Sequence, residues 1–109
     1  MSQEAASWMD TGVASEISDG TCKPIEIMGR QILVVRLGEE IYALSNICSH
    51  QFALMSDGYI DGREIECPLH QARFDIPSGR PLCPPATKPL RTFPVKVEDG
   101  TIFVAIQNE

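Results

Sequence analysis

The chain has 109 residues, 43% of them hydrophobic, and a formal net charge of −6. This length suits one domain with a real hydrophobic core, and the acidic balance argues against binding to nucleic acid or to an anionic membrane surface. No apolar run reaches membrane-spanning length, and the N-terminal stretch "MSQEAASWMD" lacks the basic and apolar regions of a secretory signal. We therefore expect a cytoplasmic protein that contacts neither nucleic acid nor membrane.

Short apolar stretches separated by turn residues predict an all-β fold, an antiparallel β-sandwich or barrel in a single domain. The stretches richest in β-branched and apolar residues are "KPIEIMG", "QILVVRL" and "EIYALS", at residues 23–29, 31–37 and 40–45. Two hairpins are predicted further on, because Asp61–Gly62 and Asp99–Gly100 each separate two apolar stretches. No segment shows sustained helical periodicity, although "SHQFALMSD" has room for one helical turn.

Residues 76–89, "IPSGRPLCPPATKP", contain five of the eight prolines of the chain. Proline cannot donate to a sheet ladder, so we predict an ordered loop here rather than a strand. A stiff loop soon after His70 is suited to covering a site with little loss of entropy. Cys83 lies in this segment without a nearby histidine and is not counted as a ligand. Cys22, Trp8 and Tyr42 are interpreted as core residues.

Both histidines of the chain follow closely after a cysteine: "CSH" contains Cys48 and His50, and "CPLH" contains Cys67 and His70. Such tight spacing lets two turns direct two thiolates and two imidazoles at one metal centre. Zinc fingers commonly pair cysteine with cysteine and histidine with histidine. Here each half brings one of each, which suits a two-iron cluster with both sulfurs on one iron and both nitrogens on the other. A zinc-stabilised interaction module is the alternative from a different class.

The pair "CSH" and "CPLH" at this separation resembles the Rieske iron–sulfur proteins. The stretch "NICSHQFALMSDGYIDGREIECPLHQARFDIPSGRP" is similar to the Rieske-type ferredoxins of bacterial aromatic-ring dioxygenase systems, and the likeness extends through "PATKPLRTFPVKVEDGTIFV". The resemblance implies a Rieske-type antiparallel β-sandwich over residues 1–109. In it, about residues 46–86 would form a small cluster-binding subdomain of two loops, inserted in a basal β domain.

The resemblance also implies one Rieske-type 2Fe-2S cluster, with Cys48 and Cys67 on one iron and His50 and His70 on the other. Two thiolates and two neutral imidazoles leave the oxidised cluster without net charge, whereas four thiolates would leave a dianion. A neutral cluster accepts an electron more readily, so Rieske potentials span about −150 to +300 mV against about −400 mV for plant-type clusters.

Four neighbouring positions predict a potential at the low end of that range. High-potential Rieske proteins join their two motif loops by a disulfide, at positions that here hold Ala53 and Leu69. They also donate hydroxyl hydrogen bonds to the cluster from positions that here hold Ala72 and Phe74. Losing such hydrogen bonds destabilises the reduced state. Gln71 departs from the family pattern, which usually has glycine after "CPLH".

The function that the resemblance implies is that of a soluble, monomeric carrier of one electron, without catalysis of its own. It would take electrons from a flavin-dependent NAD(P)H reductase and deliver them to the terminal Rieske oxygenase of a multicomponent aromatic-ring dioxygenase. An oxygenase would need a mononuclear-iron domain, for which this chain has no room. The alternative is the small Rieske subunit of an assimilatory nitrite reductase. Around the cluster we expect a mostly apolar docking rim that consists of Gln51, Leu69, Gln71, Pro84 and Pro85.

Overall fold

The computed structural model describes residues 6–48, 53–68, 72–82 and 88–107. Its strands are β1 (Ala6–Val13), β2 (Cys22–Ile27), β3 (Arg30–Leu37), β4 (Glu40–Ser45), β5 (Tyr59–Asp61), β6 (Glu64–Glu66), β7 (Arg73–Asp75), β8 (Thr92–Phe93), β9 (Val95–Glu98) and β10 (Thr101–Gln107), with short 3₁₀ helices at Ala14–Glu16 and Met55–Asp57. Three antiparallel sheets result, with the orders β1-β10-β9, β2-β3-β4-β8 and β5-β6-β7. No helix among the described residues has the length and apolar character needed to cross a bilayer.

Strand β3 lies between two hydrophobic cores because both of its faces are apolar. Its residues 32–35, "ILVV", are all at most 1% exposed. Side chains of a strand alternate between faces, so Leu33 and Val35 enter one core while Ile32 and Val34 enter the other. The continuous apolar run in the sequence is thus explained by burial on both sides of the sheet.

The two cores are named by their contents. The cysteine core consists of Leu33, Val35, Leu44, Cys48, Met55, Ile65, Cys67, Ala72, Phe74, Ile76 and Leu90. The basal core consists of Ile17, Ile27, Ile32, Val34, Ala43, Phe93, Ile102, Val104 and Ile106. The central sheet β2-β3-β4-β8 contributes to both cores, so it separates the layer that holds the cysteines from the sheet β1-β10-β9.

The all-β prediction is confirmed, and β2, β3 and β4 fall within two residues of the predicted stretches. The second predicted hairpin is also confirmed, since Glu98 pairs with Thr101 across Asp99 and Gly100. Both turn residues have positive φ angles, 53° and 79°. That backbone belongs to a type I′ turn, whose twist matches that of the flanking strands.

The turn of the first hairpin lies one residue further along than predicted. Asp61 pairs with Glu64, so the turn is Gly62–Arg63 rather than Asp61–Gly62. The observed register pairs Ile60 with Ile65 and brings both to the cysteine core. A shift of one residue would have moved one of these side chains to the solvent face, so burial decides the register.

Three strands were not predicted, namely β1, β7 and β8. Strand β1 pairs along its length with β10, so a long partner strand rather than its own composition makes it a strand. The prediction that Trp8 is a core residue is wrong: it is 42% exposed on β1. Its ring instead lies 4.6 Å from Nζ of Lys96, a cation–π contact on the outer face of the sheet.

The small sheet β5-β6-β7 lies in the chain between β4 and β8, two neighbouring strands of the central sheet. Ile65 and Phe74 project from it into the cysteine core, and both are at most 1% exposed. The cysteine core is therefore enclosed between the central sheet and this small sheet.

Candidate metal centre

The first cysteine begins a tight loop that follows β4. The backbone N–H of Cys48 donates to the carbonyl oxygen of Ala53 at 2.8 Å. The residues that flank this pair, Ile47 and Leu54, form an antiparallel bridge. These two contacts close the first cysteine loop, residues 48–53, and the Cys48 side chain is left only 4% exposed in the cysteine core.

The second cysteine begins a loop that is closed in the same way. The backbone N–H of Cys67 donates to the carbonyl oxygen of Ala72 at 2.7 Å. The residues that flank this pair, Glu66 and Arg73, lie opposite each other at the end of the β6–β7 ladder. The second cysteine loop, residues 67–72, thus has the same span as the first, and Cys67 is fully buried.

Both loops deliver their cysteines to one place, because Cys48 and Cys67 are members of the same core. Both are thiols rather than halves of a disulfide. Two buried thiols at equivalent positions of two matching loops are the sulfur half of the ligand set of a Rieske cluster. The residues that the structure describes therefore fit this cofactor. Among them, no three cysteine, histidine or acidic side chains form a metal-binding group, and both histidines lie outside the described residues.

The predicted surroundings of the cluster divide into two groups. The described members are Ala53, which packs against the cysteine core, and Ala72 and Phe74, which are fully buried in it. Phe74 lines this core with an apolar ring. The remaining predicted residues lie outside the described part of the chain: His50, Gln51, Leu69, His70, Gln71, Cys83, Pro84 and Pro85.

Sequence reasoning missed Asn46, which is 1% exposed and holds the base of the first cysteine loop. Its Oδ1 accepts a hydrogen bond from the backbone N–H of Ser56 at 2.7 Å, and its Nδ2 donates to Oγ of Ser56 at 3.2 Å. Its backbone N–H donates to Gln31 of β3 at 2.9 Å, and its carbonyl accepts from Met55 at 2.6 Å. A polar residue directly before the apolar-cysteine pair "IC" was the available signal.

Gly58, also missed, lies where the two loops approach each other. A Cβ atom at this position would lie 1.9 Å from the carbonyl oxygen of Glu66, the residue before Cys67. No side chain fits there without moving the backbone. Glycine at this position therefore lets the end of the first loop segment pack directly on the strand that leads into the second.

Charged groups outside the core support the second loop. Arg73 on β7 forms ion pairs with Glu64 and Glu66, each at 3.3 Å, and lies 4.0 Å from Asp61. The hydrogen bond to Glu64 and the charge of Glu66 raise the pKa of this guanidinium. Arg73 therefore holds a constant positive charge among three carboxylates on the solvent face of the small sheet.

Tyr42 connects the central sheet with the β5–β6 turn. Its hydroxyl donates to the Glu40 carboxylate and accepts a hydrogen bond from Arg63 at 3.2 Å. This hydrogen bond is the main reason why the pKa of Arg63 is raised. The phenol ring packs against the cysteine core, which agrees with the prediction for this residue.

Cys22 differs from the other two described cysteines. It is partly buried on β2, where it packs against the cysteine core from outside. Burial raises the pKa of its thiol, so the protonated form is favoured. A protonated thiol is a poor metal ligand, which agrees with its interpretation as a small apolar residue.

The described ends of the proline-rich segment are tied together by hydrogen bonds. The N–H of Leu90 donates to the carbonyl oxygen of Gly79 at 2.8 Å, and the N–H of Leu82 donates to Arg73 at 2.8 Å. Gly79 has a φ angle of 77°, and a Cβ there would lie 2.2 Å from the Leu90 carbonyl oxygen. Leu82 is thus held against β7, and Leu90, directly after the segment, is held against the turn that follows β7.

Comparison with known proteins agrees with this site. The family described as the Rieske [2Fe-2S] domain matches residues 7–94. A similar curated protein is the ferredoxin component of the naphthalene 1,2-dioxygenase/salicylate 5-hydroxylase systems of a Ralstonia species. It is 42% identical over 100 residues, which cover 92% of this chain and 96% of the relative. The chain belongs to the Rieske [2Fe-2S] family.

Solved structures support the same fold. One match is in a complex of reduced oxygenase and oxidised ferredoxin in carbazole 1,9a-dioxygenase, with a TM-score of 0.87, 36% identity and coverage of 90% of this chain and 92% of that one. Another is described as an NADH-dependent nitrite reductase small subunit of Mycobacterium tuberculosis, with a TM-score of 0.85 over 97% of this chain and 100% of that one. At 22% identity, the second likeness is one of fold alone.

These findings confirm several predictions made from the sequence. The Rieske-type fold and the Rieske 2Fe-2S cofactor follow from the family. The curated relatives are ferredoxin components of dioxygenase systems, which confirms the prediction of an electron carrier rather than an enzyme. The zinc-module alternative is excluded by the family.

Proposed function

We propose that this chain carries single electrons to the terminal oxygenase of a multicomponent aromatic-ring dioxygenase. The observation that carries the proposal is the pair of matching loops that bring Cys48 and Cys67 into one buried core. Curated relatives that are 42% and 43% identical to this chain are ferredoxin components of such systems. When bound, the cluster takes up and releases one electron.

We assign the ligands from the family pattern. Cys48 and Cys67 would hold one iron and His50 and His70 the other. The described residues contribute in three ways: the cysteine core excludes water from the thiolates, the loop hydrogen bonds fix the cysteine backbones, and Ala72 and Phe74 offer no hydroxyl to the sulfurs. The last feature supports a potential at the low end of the Rieske range.

We also propose that residues of about 46–86 act as a cluster-binding subdomain on a basal β domain. The position of β5-β6-β7 between β4 and β8 supports this division, as does the separate core that these strands share with both cysteines. We place the carrier in the cytoplasm as a monomer, and the free thiol of Cys22 agrees with a compartment that keeps thiols reduced.

Electrons would come from a flavin-dependent reductase and leave through a small docking rim. We propose that the rim consists of Gln51, Leu69 and Gln71, next to the histidine ligands in sequence, and of Pro84 and Pro85 in the proline-rich segment. A small, mostly apolar rim suits a transient redox encounter that buries little area. In a test, Leu69→Glu should slow electron delivery while the visible spectrum of the cluster stays unchanged. Loss of the cluster in this variant would contradict the docking role.

The function itself is tested by reconstitution. The purified chain, a flavin-dependent reductase and a naphthalene or carbazole dioxygenase oxygenase are mixed with NAD(P)H and the aromatic substrate. Hydroxylated product should form only when this chain is present, and Cys67→Ser protein should not replace it. The proposal fails if the loaded chain delivers no electrons to either oxygenase but supports nitrite reduction with a nitrite reductase large subunit.

A further inference from the structure

Asn46 is a fully buried polar side chain with a partner for each of its amide groups. It lies between β4 and the first cysteine loop, two residues before Cys48. Its side-chain amide pairs with Ser56 through two hydrogen bonds, of 2.7 and 3.2 Å, in the way that one strand pairs with another. Its backbone is bonded to Gln31 on one side and to Met55 on the other. One residue thus joins the central sheet to both ends of the loop segment.

The pairing of Asn46 with Ser56, here called the Asn46 clamp, closes the segment between them. That segment contains Cys48 and His50, the two proposed ligands of one motif. Its further closures among the described residues are backbone contacts: the Ile47–Leu54 bridge and the hydrogen bonds from Cys48 to Ala53 and from Met55 to Asn46. The pairing does not continue into a strand ladder beyond Met55, because Met55–Asp57 is a short 3₁₀ helix.

The second loop has a different support. Its ends continue into the β6–β7 ladder, where three pairs of residues lie opposite each other. Removing one side chain from such a ladder leaves its backbone hydrogen bonds in place. The backbone pairing of the first loop ends at Asn46 and Met55, and the side-chain amide of Asn46 extends it to Ser56.

We propose that Asn46 is a positioning residue for the metal centre, which fixes the first cysteine loop in the conformation that presents its ligands. The inference rests on the ligand assignment proposed above. A loop whose ends are fixed loses little conformational freedom when its ligands engage. Without the clamp, the loop must become ordered when its ligands bind the cofactor. Such a loop would hold the cofactor less tightly and would adopt several conformations.

Three variants separate the hydrogen bonds from packing and charge. Asn46→Leu keeps the branched shape of the side chain, with a larger volume, and removes both hydrogen bonds. Asn46→Asp keeps the acceptor for the Ser56 N–H, and the Ser56 hydroxyl can rotate to donate to the second carboxylate oxygen. Ser56→Ala removes only the longer bond. Ile102→Ala in the basal core is the control, because it destabilises the fold without touching either loop.

The first measurement is hydrogen exchange of the loaded protein, followed in peptides of the two loops. Because two hydrogen bonds are lost, Asn46→Leu should exchange about tenfold faster over residues 47–56, with residues 64–76 unchanged. Asn46→Asp should stay close to the original protein, and Ser56→Ala should fall between. Ile102→Ala should change both loops alike or neither.

The second measurement follows the cluster itself by its visible absorption and its electron paramagnetic resonance signal. Asn46→Leu should release iron to a chelator about tenfold faster and give a broadened signal, because the loop samples several conformations. Asn46→Asp should retain the cluster with a sharp signal, while its buried carboxylate lowers the reduction potential.

Each outcome decides the inference. If Asn46→Leu keeps the original exchange, iron release and signal width, or if it changes no more than Ile102→Ala of equal thermal stability, the clamp has no positioning role. If Asn46→Leu does not fold, Ser56→Ala decides: unchanged exchange over residues 47–56 together with unchanged iron release in the folded Ser56→Ala protein overturns the inference. Failure of the proposed function is distinguishable, because it appears in the unaltered chain, which would then contain no iron and sulfide or would deliver no electrons to the oxygenases.

Discussion

The two cysteine loops have the same closure but different supports. In each, the cysteine N–H donates to the carbonyl oxygen five residues on, at 2.8 Å in the first loop and 2.7 Å in the second. The first then rests on the buried amide of Asn46. The second rests on the β6–β7 ladder and on the exposed ion pairs of Arg73.

This difference shows that one local geometry can be reached through unlike interactions. A buried amide pair is shielded from dissolved ions, whereas exposed ion pairs are screened by them. The loops share a core, and Gly58, a few residues after the first loop, packs on Glu66, directly before the second, so neither loop is independent of the other. We therefore expect the loops to be equally necessary for the cofactor and to differ in how salt, acid and side-chain removal affect them.

The largest expected effect concerns what the loops have in common. Cys48→Ser and Cys67→Ser should each lower the iron content of the purified protein by more than about tenfold, since changes even outside the ligand set cost 10–100-fold in metal affinity. Cys22→Ser is the matched control and should retain the original iron content, because this thiol only packs against the core. Iron and acid-labile sulfide assays measure the effect. Equal iron loss in all three variants would contradict the assignment.

The next effect concerns the contact between the loops. Gly58→Ala should lower the free energy of unfolding by at least about 3 kcal/mol, because its Cβ must displace the backbone in front of Cys67. Gly62→Ala has open space around it and costs only about 1 kcal/mol, from its left-handed backbone. Urea unfolding of both proteins measures the difference. Equal destabilisation would mean that the close approach to Glu66 does not constrain the loops.

A smaller effect concerns the ion pairs of the second loop. Arg73→Met keeps most of the apolar stem and leaves Asp61, Glu64 and Glu66 without their cation, so Tm should fall by at most a few degrees at low salt. The loss should shrink in about 1 M salt, where the screening length is about 3 Å. Ser56→Ala in the first loop serves as the comparison, and its Tm change should not depend on salt. A salt-independent loss in Arg73→Met would show that packing, not charge, is its contribution.

The smallest expected effect is on the acid dependence of Tm, and it arises in the turn after β7. The Ser78 hydroxyl and N–H donate to the Asp75 carboxylate at 2.6 and 3.0 Å and hold its pKa below the usual 3.8. A lowered pKa means that this stabilisation is complete above about pH 4 and is lost as pH falls through the folded-state pKa. Asp75→Asn should flatten that part of the pH profile of Tm. An unchanged profile would show that the hydrogen bonds between Asp75 and Ser78 do not contribute to the acid dependence of Tm.

The sequence predicted the parts of the fold that repeat a simple pattern. Strands β2, β3 and β4 and the turn at Asp99–Gly100 follow from β-branched composition and from turn chemistry. Strand β1 was missed because its partner β10, about ninety residues away in the chain, decides its conformation. The first hairpin turn was misplaced because burial of Ile60 and Ile65 overrides the preference of Asp–Gly for the turn.

The candidate site was predictable in its chemistry and less so in its support. Two cysteines, each followed closely by a histidine, predict a metal centre, and the resemblance to the Rieske proteins implies that it is a two-iron cluster. Gly58 carries no such signal, and Asn46 carries only that of a polar residue before "IC", because the roles of both arise from contacts across the fold. The amide of Asn46 meets Ser56 ten residues later, and Gly58 meets a carbonyl oxygen of the neighbouring strand.

The most direct test of the central claim is a reductive titration of the purified chain, combined with iron and sulfide analysis of the same sample. Two irons, two sulfides and one electron per chain, with a paramagnetic signal that appears as the electron is added, are the expected result. A protein that contains zinc or no metal, and takes up no electron, would contradict the claim that these two loops hold a redox centre.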